Sequence, residues 1–277
     1  MCRINPRVDF AFKKLFGSEE NKDILIDFIN SIISEKDQVK DLILKNPYNE
    51  KSFENDKLSI LDIKAQDEKN NWFNIEMQIF TQSYYEKRAL YYWARIYNSQ
   101  LESGRNYDLL KKTICINILN FDCLDENNYH NVYKMFNTKS HKDFFDDIEI
   151  HFIELNKYDD KVSSLLDRWV NFLKKAGLYS QNYLPRELEE VETIKKAVDI
   201  LEKMYFTDEE RELYEAGLKW YRDYDMGLMT AKIEGKIEGE VLTIIKFLDV
   251  LDNETIAKKT GKTIEEIENI RRENSHL

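Results

Sequence analysis

Residues Lys57–Ile79, KLSILDIKAQDEKNNWFNIEMQI, alternate apolar and polar side chains in two short runs separated by a polar stretch. A period of two is the signature of a half-buried strand, and it leaves the segment few alternatives. Leu61, Ile63 and Ala65 share one side of the first run, opposite Asp62 and Lys64. Phe73, Ile75, Met77 and Ile79 share one side of the second, opposite Asn74, Glu76 and Gln78. The Asp, Glu, Lys and Asn residues between them suit a solvated turn centred near Lys69. A hairpin with that centre sets Asp62 across from Glu76 and Lys64 across from Asn74. A one-residue slip would turn one apolar set to the wrong face, so the alternation fixes the register.

Two carboxylates facing each other across a strand pair repel unless a proton or a cation lies between them. Mg²⁺ is a hard cation that accepts a pair of carboxylates and keeps its other positions for water and phosphate oxygens. The spacing D-x13-E-x-Q therefore suits a metal-dependent phosphodiesterase. The same pattern also fits the solvated side of an ordinary hairpin, with Asp62 and Lys64 paired to neighbours, and the residues alone leave both readings open.

The rest of the chain reads mostly as helix. Val8–Phe16 places Val8, Phe12, Leu15 and Phe16 on one face, with Gly17 suited to end it. A second helix follows from Lys22 to about Ile33, after Asn21 as N-cap. A long helix is expected from about Tyr84 to Ser103, and Thr113–Phe121 and Ile148–Leu155 are further strands. Beyond Lys161 the pattern is helical and charge-rich, with Trp169, Phe172 and Leu173 as packing anchors. Strands framed by helices predict an α/β core with a helical C-terminal part. The expected division is a core over 1–160, a helical extension over 161–230 and a tail over 231–277. In the tail, Lys232–Glu240 (KIEGKIEGE) repeats a four-residue unit, suited either to self-association into a homo-oligomer or to a solvated linker helix. Two short helices around Gly261 complete it, with Thr263 and Glu266 forming a capping box.

A hydrophobic content of 42% and an aromatic content of 13% exclude a disordered chain. The formal net charge of −11 works against indiscriminate binding to DNA or anionic membranes, so any DNA contact must be local. Three cysteines without zinc-like spacing imply a reduced, cytoplasmic protein. No segment has the length and apolarity of a membrane span. His130, His141, His151 and His276 lack paired ligand spacing, and no glycine-rich phosphate loop is present. The last helix, TIEEIENIRR, begins with acids, which argues against its reading DNA in the manner of a helix-turn-helix.

The segments DFAFKKLFG, LDIKAQDEKNNWFNIEMQI, KRALYYWARIYNSQLESG and ICINILNF occur in that order. Together they resemble the PD-(D/E)XK nuclease-like proteins described as recombination-promoting nucleases or transposases, over about residues 5 to 160. The resemblance implies a restriction-endonuclease-like core, a central mixed sheet flanked by helices, and a Mg²⁺-dependent DNA endonuclease in which Mn²⁺ can substitute. It matches Asp62 and Glu76 to the family's metal-holding acids and adds the Met77 carbonyl as a ligand. Gln78 stands where the wider superfamily most often has lysine. A neutral amide can orient water but supplies no positive charge. Lys64 either supplies that charge or is a surface lysine flanking the hairpin. Asp9 either completes the site from the first helix or pairs with Lys13 four residues on. Arg88 and Arg95 either bind DNA phosphates or pair with Glu102 and nearby acids. The departure at Gln78 also admits a weakly active or silent nuclease-fold protein that acts by binding.

Overall fold

The computed structural model describes residues 4–45, 63–102 and 104–274. Asp62 lies outside them. Among the described residues one six-stranded sheet has the order β1-β2-β3-β4-β6-β5. Its strands are β1 (Leu42–Leu44), β2 (Ile63–Asp67), β3 (Trp72–Gln78), β4 (Thr113–Leu119), β5 (His130–Tyr133) and β6 (Ile148–Glu154). The hairpin is present with the expected register: Lys64 pairs with Asn74 and Ile63 with Ile75. Its turn is closed by the Asp67 carboxylate, which accepts from the backbone N–H groups of Lys69 and Asn71.

β3, β4 and β6 run parallel, whereas β1, β2 and β5 are antiparallel to their neighbours. Parallel neighbours need a long crossover, and the helix α3 (Tyr85–Ser99) supplies it between β3 and β4. β4 and β6 are buried at every position, as expected for strands covered on both faces. One face carries Ile63, Ala65, Phe73, Ile75, Met77, Ile114, Ile116 and Ile118 against α1 (Asp9–Phe16), α2 (Lys22–Ile32) and α4 (Leu165–Lys175). On the other, Tyr85, Ala89 and Trp93 of α3 pack on Cys115, Leu119, Ile150 and Phe152. The result is the expected α/β sheet flanked by helices.

α4 anchors its side of the sheet through Trp169, fully buried against Phe16, Phe28 and Phe172. The Trp169 indole N–H donates to Asp27 at 2.8 Å, and Thr193 of α6 (Glu192–Lys203) donates to the same oxygen. The short α5 (Arg186–Glu189) lies between α4 and α6 in the chain.

The chain divides into two compact units, Met1–Lys219 and Trp220–Leu277, with the boundary inside α7 (Asp208–Phe247). In the first unit the start of α7 is tied to α1 by the Lys14–Glu210 ion pair at 2.8 Å. Gly217 permits close packing there, since a Cβ would approach Val8 to 2.9 Å. The second unit buries Ile244, Leu248, Ile256, Ala257 and Ile267 between the end of α7, α8 (Asn253–Thr260) and α9 (Ile264–Glu273). Gly261 adopts the left-handed conformation that ends α8, and the Thr263–Glu266 capping box opens α9. No described helix is long and apolar enough to cross a membrane.

Trp169→Ala removes the largest buried side chain of this layer and should cost about 3–5 kcal/mol of stability. Trp169→Phe keeps most of the packing but leaves Asp27 one donor short, and should cost about 1–2 kcal/mol. Urea unfolding followed by circular dichroism distinguishes the two; equal losses would mean that the hydrogen bond, rather than the packing, anchors α4.

Candidate active site

Glu76 is buried on β3, with 8% of its surface exposed, on the face covered by α3. A buried carboxylate needs compensation, and among the described residues Asn74, Tyr85 and Arg88 provide it. The Asn74 side-chain amide, two residues back on the same face, donates to Glu76 Oε1 at 3.1 Å. The Tyr85 hydroxyl lies 3.3 Å from Glu76 Oε2 and 3.1 Å from Asn117 Oδ1. Its single proton can serve only one of these acceptors at a time. The Arg88 guanidinium approaches Glu76 Oε2 at 3.8 Å. Burial and the Glu76 charge both hold the Tyr85 phenol far above its ordinary range, so it stays a neutral donor.

The amide orientation of Asn74 follows from its partner. An ionised carboxylate only accepts, so the nitrogen faces Glu76 and the oxygen turns away. Asn74 Oδ1 is then buried with no hydrogen-bond partner among the described residues, as is Arg88 Nε. Arg88 is otherwise held by Gln82 and by the Tyr92 ring, 5.2 Å from its guanidinium carbon.

The backbone beside Glu76 also carries oxygens. The Gln78 carbonyl accepts from the Asn120 N–H beyond β4. Carbonyls alternate along a strand, so the Met77 carbonyl faces the β2 side of the sheet. Glu76, Asn74 Oδ1 and the Met77 carbonyl are all hard oxygen donors, the chemistry that Mg²⁺ and Mn²⁺ select. Among the described residues no three His, Cys, Asp or Glu side chains form a metal-holding cluster.

The other sequence-derived residues fall around this core. Gln78 is half-buried, two residues beyond Glu76 on the same face of β3. Asp9 opens α1, half-buried, within electrostatic reach of both Arg88 and Glu76. Burial pushes the Asp9 carboxyl up to about 7; Arg88 opposes this and Glu76 adds to it. Lys64 is half-buried across from Asn74 on β2. Arg95 is exposed on α3, and Glu102 pairs with Arg105 at 3.9 Å rather than with either α3 arginine. Sequence reasoning missed Asn74 as a partner of Glu76, although its i−2 position was a usable signal. It also missed Tyr85 and Asn117, which reach the site only through the packing of α3 on β4 and leave no mark in local sequence.

Asp9 has a defined effect on stability. Its folded pKa of about 7 lies above the ordinary 3.8, so the folded chain holds a proton that the unfolded chain has lost. Stability contributed by this group is therefore greatest below 3.8 and declines as pH rises toward 7. With chelator present, Asp9→Asn should flatten that decline in urea-unfolding midpoints. Parallel profiles for the two proteins would show that Asp9 does not titrate there.

Comparison with curated proteins gives no match, and comparison with solved structures gives none either. The sequence model of one family, described as PD-(D/E)XK nuclease family transposase, matches residues 6–231, well over half of the chain and including the whole sheet. The mixed sheet, its flanking helices and this match agree: the chain belongs to the PD-(D/E)XK nuclease family transposases.

Proposed function

We propose that this protein is a cytoplasmic, Mg²⁺-dependent DNA endonuclease acting in recombination or on mobile elements, with Mn²⁺ able to substitute. The observation that carries the reading is the buried Glu76, held by Asn74, Tyr85 and Arg88, with the Asn74 oxygen left without a partner among the described residues. Asp62, the residue preceding β2, and Glu76 would hold the ion together with the Met77 carbonyl. When bound, such an ion lowers the pKa of water and stabilises charge developing on a phosphodiester.

The remaining steps belong to the chain. Asn74 and Tyr85 fix the Glu76 carboxylate by hydrogen bonds, which keeps its oxygens aimed without reorganisation during the reaction. Gln78 positions the attacking water through its amide. Arg88 neutralises Glu76 at rest and contacts the scissile phosphate when DNA is bound, and Arg95 binds a phosphate further along α3. Asp9, with its raised pKa, carries a proton to or from the site near neutral pH. Lys64 supplies positive charge from β2 in place of the lysine that Gln78 lacks.

A second reading, a weak or silent nuclease fold that binds DNA or protein and oligomerises, is favoured by one observation. Met226, Met229, Ile233 and Ile237 of α7 are exposed at spacings of three and four residues, the pattern of a helix–helix seam. The full-length Ile233→Glu/Ile237→Glu variant should then have a lower mass by light scattering than the wild type. An unchanged mass removes the tail from that role.

For the leading reading, plasmid nicking should require Mg²⁺ or Mn²⁺ and stop with chelator. Asp62→Asn and Glu76→Gln should each slow it on the order of a hundredfold or more, and each should weaken Mn²⁺ binding measured by electron paramagnetic resonance. Equal nicking by the wild type and both variants would sink the enzyme reading.

A further inference from the structure

The nuclease reading gives Arg88 and Arg95 of α3 a role and leaves the exposed tyrosines beside them unassigned. Tyr84 at the helix N-cap, then Arg88, Tyr91 and Arg95, follow at spacings of four, three and four residues, which places them on one stripe. The stripe covers about 16 Å at the rise of an α-helix. Tyr84 is 72% exposed and Tyr91 is 63% exposed, whereas Trp93 and Tyr85 of the same helix are buried. Within the YYW run of residues 91–93, Trp93 is buried, Tyr92 is half-buried and Tyr91 is exposed.

Two features set this stripe apart from a scatter of surface aromatics. The first is charge. α3 holds Lys87, Arg88 and Arg95 against the single acid Glu86, on a chain whose net charge is −11. The second is how the rings and cations are interleaved. Lys87 Nζ lies 4.8 Å from the Tyr84 ring centroid, and the Arg88 guanidinium lies over the Tyr92 ring. Tyr84 itself adopts the left-handed conformation, φ 62°, which a bulky side chain rarely occupies. The stripe is continuous with the candidate active site, because Arg88 is a member of both.

A row of cations alone would serve a duplex, whose outside is phosphate and whose base faces are covered by stacking. Exposed tyrosines between cations add something only for bases that are unpaired, since each base then offers a free π-face to a ring. A second copy of the same stripe would bring like charges together, which disfavours self-association through this face. We infer that the outer face of α3 binds single-stranded DNA, with bases stacked on Tyr84 and Tyr91 and phosphates held by Lys87, Arg88 and Arg95. The strand is thereby led to Glu76, and the preferred substrate is DNA with an unpaired segment, such as a flap, bubble or overhang. This assignment rests on the nuclease reading for the site at its end.

The test uses the full chain with chelator present, so that DNA is not cut, and fluorescence anisotropy of labelled oligothymidylate and a blunt duplex of equal length. The wild type should bind the single strand more tightly than the duplex. Tyr84→Ala and Tyr91→Ala should each weaken single-strand binding about fivefold or more. Tyr91→Phe should retain it, and Tyr183→Ala, exposed outside α3, should leave it unchanged. Equal affinity for the two DNAs, full binding by the tyrosine-to-alanine variants, or equal loss with Tyr91→Phe and Tyr91→Ala would each overturn the assignment. Tighter binding of an oligouridylate RNA would overturn the choice of DNA. Glu76→Gln separates the two proposals, since it should bind the single strand normally and fail to cut it. Tyrosine-dependent binding with no metal-dependent cleavage by the wild type would sink the nuclease reading alone. Cleavage with no dependence of binding on the tyrosines would sink the stripe alone.

Discussion

The compensation of one buried carboxylate organises this protein around α3. Removing an ionised group from water costs several kcal/mol even after local relaxation, and an uncompensated Glu76 would not stay charged where it lies. Asn74, Tyr85 and Arg88 together make that position tolerable. Two of the three come from α3, so the helix cannot be placed by apolar packing alone. Its register on the sheet must satisfy Trp93 against Cys115 and Ile150 while bringing the Tyr85 hydroxyl to Glu76 and Asn117. The crossover between β3 and β4 is thus fixed from both ends by different forces, packing at Trp93 and polar pairing at Tyr85.

A second buried acid is neutralised by several cations in the same fold. Glu149 of β6 meets Lys112 and Lys134 at 2.7 Å each and His151 at 2.8 Å. His151 in turn stacks on His130 of β5, and Lys112 reaches Asp37. Burial drives the Glu149 carboxyl up, but the hydrogen bonds from His151, Lys112 and Lys134 outweigh it and hold the group well below the usual range. This cluster joins the edge strand β5 to the sheet and has its cations already in place. Around Glu76 the balance differs: among the described residues it meets the Arg88 guanidinium at 3.8 Å, and the nearby Asp9 carboxyl is pushed up rather than down. The difference lies in charge: Glu149 is matched by two lysines at 2.7 Å, whereas the Arg88 guanidinium stands 3.8 Å from Glu76.

Much of this was legible in the sequence where the pattern is local. Alternation on both runs gave the hairpin register directly, and Trp169, Phe172 and Leu173 stood out because α4 has a strong apolar stripe. The capping box at Thr263 and Glu266 was equally visible. β1 and β5 were not, because strands of three and four residues show too few alternations, and β5 is a half-exposed edge. α7 reads as one 40-residue helix despite Gly217, Gly227, Gly235 and Gly239, each of which lowers helix propensity without breaking it. At the site, Glu76 could be singled out from spacing, whereas Asn117 and Tyr85 could not: their meeting depends on a parallel crossover and has no counterpart in sequence distance.

The acidic composition and the glutamine at position 78 are separate objections to nuclease chemistry, and the role proposed for α3 answers both. Net charge acts over distances that salt screens within about 8 Å under physiological conditions, so the sign that DNA meets is set by the nearest residues. On the outer face of α3 those are Lys87, Arg88 and Arg95. A lysine at position 78 would place a cation on β3 beside Glu76; with Gln78 there, the strand offers only hydrogen bonding. The positive charge nearest Glu76 among the described groups instead comes from Arg88, one turn into α3, on a guanidinium whose Nε is still unpaired. A helix-borne arginine can pair with a carboxylate at rest and turn its planar fork to a phosphate when one arrives. On the proposed reading, then, the charge for the chemistry and the charge for holding the strand lie on the same element, and that element is positioned by its hydrogen bond and ion pair to Glu76.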